Sequence, residues 1–167
     1  MINMIKTSYY FKEMQSPVGL LKLIGSDNGL AGILWENERP GRVNLHPQIE
    51  DHHHKILLET EKQLNEYFSG KRKYFNILLD FNGTKFQKEV WNYLVHIPFG
   101  ITKTYGQVAK DLGRPKAMRA VGAANGRNPI SIIAACHRVI GADGSLTGFA
   151  GGLTVKSFLL DHEKNLI

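Results

Sequence analysis

The chain has 167 residues, of which 43% are hydrophobic and 22% are charged, and it carries a formal net charge of +6. This composition excludes a disordered chain, and the length fits one domain or two small domains that share an interface. No apolar run approaches the roughly 18 residues that span a bilayer, and the N-terminus, MINMIKTSYYFKEM, lacks the apolar core of a secretory signal, so we expect no membrane association.

Three short runs in the first half predict β-strands: SYYFKEM, GLLKLIGS and GLAGILWE. They are rich in β-branched and aromatic residues, and the sequence DNG between the last two is typical of a hairpin. The polar stretch NERPGRVNLHPQIEDHHH that follows is predicted to be an exposed loop. Its three histidines, His52 to His54, could form a metal cluster. Since no cysteine or spaced fourth ligand lies nearby, we interpret them as part of a solvated loop.

The next elements are two helices separated by a strand. Apolar residues at helical spacing between residues 56 and 70 predict a helix that ends at a glycine, and KYFNILLDF is typical of a strand. Thr84, with Gln87 three residues later, forms a capping box that opens the next helix. We therefore expect a small N-terminal domain of β-sheet plus helix over residues 1–82.

Two short helices joined by a glycine turn are predicted in TKTYGQVAKDLGRPKAMRAVGAANGRNP. Thr104 and Gln107 form a second capping box, and this helix ends at Gly113. Pro115 suits the first turn of the following helix, where no N–H is needed. The pair is a helix-turn-helix pattern. The second helix carries a face of small residues on which Arg119 is the one long cation, so its backbone could approach a duplex while Arg119 reaches into it.

The charge of the chain is unevenly divided. Residues 1–83 carry ten basic and ten acidic side chains, whereas residues 84–167 carry eleven and five. This asymmetry indicates a polyanionic partner, nucleic acid first, although a solvated basic surface explains the charge alone equally well. Plain helix–helix packing is the alternative for the small-residue face. Taken together, the charge and the helix-turn-helix favour DNA as the partner of a mostly helical C-terminal domain, residues 83–167.

Cys136 is the only cysteine, so we expect a free thiol and a reducing compartment, the cytoplasm. A buried cysteine is most often a small hydrophobe, whereas a reactive one needs a nearby base, cation or helix N-terminus. His137 and Arg138 follow directly, but neighbouring side chains of extended backbone face opposite ways, so activation by His137 requires a turn or a bridging water. An acid that orients the imidazole is expected in the terminal helix TVKSFLLDHEK. The pattern favours Glu163, although spacing alone does not separate it from Asp161.

The run NPISIIAACHRVIGADGSLTGFAGGL resembles the active-site signature of the O6-alkylguanine-DNA alkyltransferases, also called methylated-DNA–protein-cysteine methyltransferases. The helix-turn-helix segment and GGLTVKSFLLDHE are also similar to this family, whereas the first half is similar only in layout. The resemblance implies a DNA repair protein that flips O6-alkylguanine out of duplex DNA, with O4-alkylthymine as a second candidate substrate. It implies irreversible transfer of the alkyl group to Cys136, once per molecule, with neither cofactor nor metal.

The resemblance also implies a role for each matching residue. Cys136 would be the alkyl acceptor, His137 its base acting through a water, and Glu163 the group that fixes the imidazole. Tyr105 would lie beside the extruded base and donate a proton toward N3. Asn128 would brace the turn between the recognition helix and an active-site strand.

DNA contacts are implied for the helix-turn-helix, whose recognition helix would enter the minor groove. Arg119 would fill the stack left by the flipped nucleotide. The other DNA-binding candidates are Ala117, Ala120, Arg127, Thr104 and Gln107. The alkylguanine pocket would be walled by Tyr105 and by the loop GSLTGFAGGL, with Ser145, Phe149, Ala150 and Gly151.

One position departs from the family. A proline usually precedes the cysteine, and this chain has Ala135, which returns a backbone N–H and some freedom at the mouth of the pocket. The cysteine itself is kept, unlike in the alkyltransferase-like proteins that only bind damage.

Three other functions remain as alternatives: a damage sensor without catalysis, a helix-turn-helix module with a structural Cys136, and a cysteine hydrolase using Cys136 and His137. We expect a monomer that binds double-stranded DNA, associated with the nucleoid in a bacterium.

Overall fold

The apolar runs at the start of the chain form an antiparallel meander of β1 (Tyr9–Ser16), β2 (Gly19–Gly25) and β3 (Leu30–Trp35), which confirms the three predicted strands. The computed structural model describes residues 7–46 and 48–167. Residues 1–6 lie outside the described residues. Two predictions include them: the N-terminal domain over residues 1–82, and the absence of a secretory signal from the N-terminal segment. Pro47, in the predicted polar loop, also lies outside them.

The predicted polar loop adds a fourth strand to the sheet. β4 (Gln48–Glu50) pairs in parallel with β1, so that the strand order is β3-β2-β1-β4. The loop prediction was wrong at this point because pairing to the free edge of β1 uses backbone groups and needs no apolar side chains. At the end of the loop, Nε2 of the exposed His52 lies 2.6 Å from Oε1 of Glu50. No group of three or more His, Cys, Asp or Glu within residues 7–46 and 48–167 could hold a metal ion.

The predicted helix after the loop is confirmed as α1 (Lys55–Phe68), but the strand predicted in KYFNILLDF is wrong. That segment makes one isolated parallel bridge, Leu79 to Leu30. At Asn76 a side chain takes the place of a neighbouring strand: Gln63, on α1, accepts from the Asn76 N–H at 2.9 Å and donates to the Asn76 carbonyl at 3.1 Å.

The second half is mostly helical. It contains α2 (Lys85–Val95), β5 (Lys103–Thr104), α3 (Tyr105–Asp111), α4 (Met118–Gly126), a 3₁₀ turn (Cys136–Arg138), β6 (Val139–Ile140) and α5 (Leu153–Lys164). Both capping boxes are confirmed, at Thr84–Gln87 and Thr104–Gln107. Pro115 was wrongly predicted to lie in the first helical turn. It lies in a separate turn closed by the Ala117 N–H and the Arg114 carbonyl, and α4 begins after it.

The two halves form a two-domain α/β fold with a shared core. Residues of the sheet and α1 pack against the segment that precedes the cysteine and against Leu159 of α5. The Ile33 N–H donates to the Pro129 carbonyl at 2.9 Å, and the Trp35 indole N–H donates to the Ser131 hydroxyl at 3.1 Å. The N-terminal sheet therefore supports the backbone that carries the active-site turn. Among the described residues, no helix has the length and apolar character required to cross a membrane.

Candidate active site

Cys136 is held in a turn that Asn128 organises. The Asn128 amide N–H₂ donates to the Ala134 carbonyl at 2.7 Å, and its oxygen accepts from the Ile130 N–H at 3.0 Å. The predicted active-site strand is wrong at the cysteine, because the backbone there forms turn hydrogen bonds, from the Cys136 N–H to the Ala134 carbonyl at 2.7 Å and from the Arg138 N–H to the Ala135 carbonyl at 3.0 Å. Cys136 instead opens the 3₁₀ turn, is 4% exposed, and carries the only thiol of the chain.

The alanine that replaces the family's proline is tightly held. Ala135 is fully buried, has a φ of −79°, and its N–H donates to the Leu94 carbonyl at the end of α2 at 3.3 Å. Its φ lies close to the value that a proline ring imposes. The extra N–H has an acceptor, so this position is not the source of freedom at the pocket mouth that we expected.

His137 and Glu163 form a buried pair behind the cysteine. The ring Nε2 of His137 lies 2.7 Å from Oε2 of Glu163, and both side chains are at most 1% exposed. Because the carboxylate accepts at Nε2, the neutral ring carries its proton there and leaves Nδ1 with a lone pair. Nδ1 is buried and has no hydrogen-bond partner within the described part of the chain. Asp161 is exposed, so the structure separates the two acids that spacing alone did not.

Glu163 also receives four further hydrogen bonds. Arg138 donates from Nε to Oε1 at 2.7 Å and from Nη2 to Oε2 at 2.9 Å. The Gly100 N–H donates to Oε1 at 3.2 Å, and the hydroxyl of Tyr67, from α1, donates to Oε2 at 2.6 Å. Burial acts to raise the pKa of Glu163, but the bonds from His137 and Arg138 outweigh it and hold the pKa well below its usual range. The group is therefore a carboxylate at any working pH.

The resting state of the site is a neutral thiol beside a neutral imidazole. Burial raises the pKa of Cys136, although a hydrogen bond from Asn128 and the charges of Arg42 and Lys156 oppose the shift. Burial lowers the pKa of His137, and its bond to Glu163 acts in the opposite direction. His137 can consequently accept a proton at neutral pH, and Cys136 becomes a thiolate only when its proton leaves.

A cavity of about 460 Å³ opens onto Cys136. It lies between α3, α4 and the loop after β6, and it is lined by Arg39, Arg42, Tyr105, Gly122, Asn125, Gly126, Cys136, Gly148, Phe149 and Ala150. Arg42 and Asn125 each carry one fully buried polar atom, Nη2 and Oδ1 respectively, that has no partner among the residues that the structure describes. The cavity thus places the thiol of Cys136 beside the aromatic side chains of Tyr105 and Phe149.

The structure divides the predicted pocket residues into two groups. Phe149 and Ala150 line the cavity, whereas Ser145 and Gly151 lie outside its wall. Ser145 is exposed in a turn with Asp143, to whose carboxylate its N–H donates at 3.0 Å. Gly151 rests on Trp35, because a Cβ there would lie 2.8 Å from the indole. The N-terminal domain therefore supports the pocket loop from behind.

Tyr105, at the start of α3, faces the cavity. Its hydroxyl lies 2.5 Å from the hydroxyl of Thr147, in the pocket loop. Burial raises the pKa of Tyr105, the bond with Thr147 lowers it, and the nearby Cys136 adds to the rise. The phenol therefore stays protonated at neutral pH and can donate to a bound base.

The predicted DNA-binding residues lie on the outer side of the helix-turn-helix. Arg119, Ala120 and Arg127 are exposed, and Ala117 is half-buried. Arg119 borders a second groove of about 380 Å³ that also contacts Tyr105 and Gly122, so the two cavities meet at Tyr105. The side chains of Thr104 and Gln107 form the hydrogen bonds of the capping box at the start of α3.

Two residues near the cysteine were missed by the sequence analysis. Arg42 comes from the predicted loop, yet its side chain is 3% exposed and donates to the carbonyls of Asn128, at 2.8 Å, and Gly126, at 3.2 Å. Lys156 is fully buried in α5, and its Nζ donates to the Val139 carbonyl at 2.7 Å. Nothing in the local pattern marks Arg42. Lys156 was detectable as the one cation on the buried face of an amphipathic helix.

Replacing Asn128 by alanine is expected to lower the free energy of unfolding by about 3 kcal/mol, because two buried backbone groups lose their partners. Urea denaturation measures the change. Asn92→Ala, on the exposed face of α2, is the matched control and is expected to cost about 0.5 kcal/mol or less. Equal effects of the two substitutions would contradict the bracing role of Asn128.

Comparisons with known proteins match both halves of the chain. The family model of the 6-O-methylguanine DNA methyltransferase DNA binding domain matches residues 85–165, and that of the ribonuclease-like domain of the same proteins matches residues 5–81. A methylated-DNA–protein-cysteine methyltransferase of Methanosarcina acetivorans is 47% identical over 155 residues, which cover 92% of this chain and 97% of the relative. One from Mycobacterium tuberculosis is 42% identical over 158 residues, covering 93% of each chain.

A solved structure is similar over nearly the whole length. The crystal structure of M. tuberculosis OGT in complex with DNA has a TM-score of 0.85 and 42% identity, and it covers 95% of this chain and 94% of that one. The likeness therefore includes the first half, which the sequence analysis matched only in layout.

Proposed function

The chain belongs to the methylated-DNA–protein-cysteine methyltransferase family, and we propose that it repairs duplex DNA by moving the alkyl group of O6-alkylguanine onto its own Cys136. The observation that carries the residue assignment is the buried Cys136–His137–Glu163 arrangement at a cavity beside the helix-turn-helix. A thiol with a base and an orienting acid is the arrangement of an activated nucleophile. The product, a thioether, has no evident route back to the thiol, so each molecule acts once.

The transfer is a displacement at the alkyl carbon. The proton of the Cys136 thiol moves to Nδ1 of His137. No direct hydrogen bond joins the two side chains in the described structure, so the proton passes from Cys136 to His137 through one water. The sulfur then forms a bond to the alkyl carbon as the bond from that carbon to O6 breaks. The electron pair goes to the guanine, which takes up a proton at N3 from Tyr105. The imidazolium loses a proton to solvent and the Tyr105 phenoxide takes one up, so that the guanine in the DNA and the thioether on Cys136 are both neutral.

DNA binding follows from the position of the charges. The surplus of positive charge lies in residues 84–167, and Arg119 projects from the exposed face of α4. The target atom lies inside the duplex, so the nucleotide has to leave the stack, and a side chain that fills the gap offsets part of the cost. Small residues on α4 suit the narrow minor groove, and phosphate contacts make the binding weaken as salt rises.

The domain organisation, assembly and location of the protein belong to the same proposal. We place the boundary between the two domains at residues 82 and 83, which agrees with the residues that the two family models match. A single molecule carries every residue of the site, so a monomer suffices. The free buried thiol suits the reducing cytoplasm, with association to the nucleoid in a bacterium.

The test is the intact mass of the protein after mixing with a duplex that carries one O6-methylguanine, followed by peptide mapping. A gain of one methylene on Cys136, about 14 Da, with no second turnover, supports the proposal. Damage-selective binding without a mass change would point to a damage sensor. Repeated turnover of a small ester would point to a cysteine hydrolase.

Replacing Glu163 by glutamine is expected to slow transfer by about 100-fold while leaving DNA binding intact, because a neutral amide no longer stabilises the imidazolium of His137. Single-turnover transfer from O6-benzylguanine measures the rate, and a DNA titration measures the binding. Asp161→Asn is the matched control, since Asp161 is an exposed acid two residues earlier, and it is expected to change neither. An unchanged rate in Glu163→Gln would remove this carboxylate from the relay.

A further inference from the structure

A tyrosine of the N-terminal domain reaches the carboxylate that holds His137. Tyr67 lies near the end of α1 and is fully buried. Its hydroxyl donates to Oε2 of Glu163 at 2.6 Å, and the same oxygen lies 2.7 Å from Nε2 of His137. The two donors therefore share one acceptor atom, although they come from different domains.

The phenol ring has little freedom to move. It packs against the rings of Phe68, Phe75, Phe99 and His162, with centroids 5.1 to 6.1 Å away. Its backbone carbonyl lies 2.8 Å from Nε2 of His162, which anchors α1 to α5. Burial, and then the charge of Glu163, raise the pKa of Tyr67, so the hydroxyl remains protonated and can only donate to the carboxylate. Hydrogen bonds to charged groups inside proteins are stronger than neutral ones.

We propose that Tyr67 is a positioning residue of the transfer reaction: its hydroxyl fixes the Glu163 carboxylate and moderates the hold of that carboxylate on the His137 proton. The N-terminal domain would then contribute to the reactivity of Cys136 across the domain interface. This inference rests on the proposed function, because it concerns the same proton relay. It adds a residue that touches neither the substrate nor the sulfur.

The charged and titratable groups around the relay determine what loss of the hydroxyl does. Arg138 faces Glu163 from the 3₁₀ turn, and Lys156 of α5 acts on both His137 and Cys136. Tyr67→Phe removes none of these charges. Without the hydroxyl, Oε2 of Glu163 loses one hydrogen-bond donor and keeps more of its negative charge. It therefore stabilises the imidazolium more strongly and raises the pKa of His137. The reactive state requires a neutral His137, so the acid limb of the pH–rate profile shifts to higher pH.

The experiment compares Tyr67→Phe with Tyr93→Phe in the full chain. The Tyr93 hydroxyl also bonds a carboxylate, that of Asp111 at 2.5 Å, in a solvent-exposed contact that involves neither Glu163 nor His137, so it is a matched control. The rate of transfer from O6-benzylguanine is measured against pH. Tyr67→Phe is expected to shift the acid limb upward, and also to lower the rate above that limb about tenfold, because the carboxylate loses the hydrogen bond that fixes its position behind His137. Tyr93→Phe is expected to change neither.

A double-mutant cycle with Glu163→Gln separates positioning from general packing. If the hydroxyl acts through the carboxylate, Tyr67→Phe has little effect once Glu163 is glutamine. The proposal would be overturned if the effects of Tyr67→Phe and Glu163→Gln on the transfer rate were additive. It would also be overturned if Tyr67→Phe lowered the rate at every pH without shifting the pH–rate profile. An unmodified protein that transfers no alkyl group would instead refute the proposed function itself.

A variant that keeps the hydroxyl serves where Tyr67→Phe fails to fold. Incorporation of 3-fluorotyrosine at position 67 makes the phenol more acidic and hence a stronger donor to Oε2. The stronger hydrogen bond offsets more of the negative charge on Oε2, which lowers the pKa of His137. The acid limb of the pH–rate profile is therefore expected to shift to lower pH, opposite in sign to Tyr67→Phe. No shift, or a shift to higher pH, would contradict the role of Tyr67.

Discussion

Replacing Cys136 by alanine is expected to abolish alkyl transfer completely while leaving the affinity for DNA unchanged. The chain has no other thiol, and the hydroxyls and amines near the cavity are far weaker nucleophiles at neutral pH. In the proposed function, DNA binding depends on α4 and on the charges of the second half, which this substitution does not touch. Loss of one buried sulfur should lower the free energy of unfolding by only about 1 kcal/mol.

The measurement pairs intact mass with a titration of labelled duplex that contains O6-methylguanine. We expect no mass gain for Cys136→Ala and a dissociation constant within about twofold of that of the unmodified protein, which corresponds to about 0.4 kcal/mol. A mass gain at any other residue would refute Cys136 as the acceptor. Loss of DNA binding together with transfer would show that the thiol has a structural role in the interface.

Replacing Arg119 by alanine is expected to reduce repair of O6-methylguanine in duplex DNA by about 100-fold, because extrusion of a nucleotide costs a few kcal/mol and we propose that Arg119 offsets part of this cost. Transfer from free O6-benzylguanine should be unchanged, since a free base needs no extrusion. Arg119 is exposed and borders the groove outside the Cys136 cavity, so its removal leaves the relay intact.

The matched control is Arg72→Ala, an arginine of the first domain that pairs with Glu66 at 2.9 Å. It removes the same charge away from the proposed interface and is expected to change duplex repair by less than about twofold, as surface ion pairs contribute little. Equal losses for Arg119→Ala on the duplex and on the free base would contradict a role in flipping. Such a result would place Arg119 in the chemistry instead.

Local patterns predicted much of the fold. Both capping boxes appear as expected, because a threonine and a glutamine three residues later satisfy the first N–H groups of a helix without help from elsewhere. Local patterns failed where a distant group replaced the local partner. KYFNILLDF has the composition of a strand, but Gln63 binds the backbone of Asn76. Pro115 lies in a turn before α4, although its ring would fit a first helical turn equally well.

The sequence by itself determined the chemistry of this protein: one thiol, an adjacent histidine, an arginine on a face of small residues, and a basic second half. Only the tertiary structure decided which groups come together around the turn that carries the thiol. Glu163 rather than Asp161 meets His137, and Tyr67 reaches that carboxylate from 96 residues away. Arg42 enters the same region from a stretch that looks like a solvated loop. A sequence pattern reports periodicity and burial within one element, whereas these contacts depend on how separate elements pack against one another.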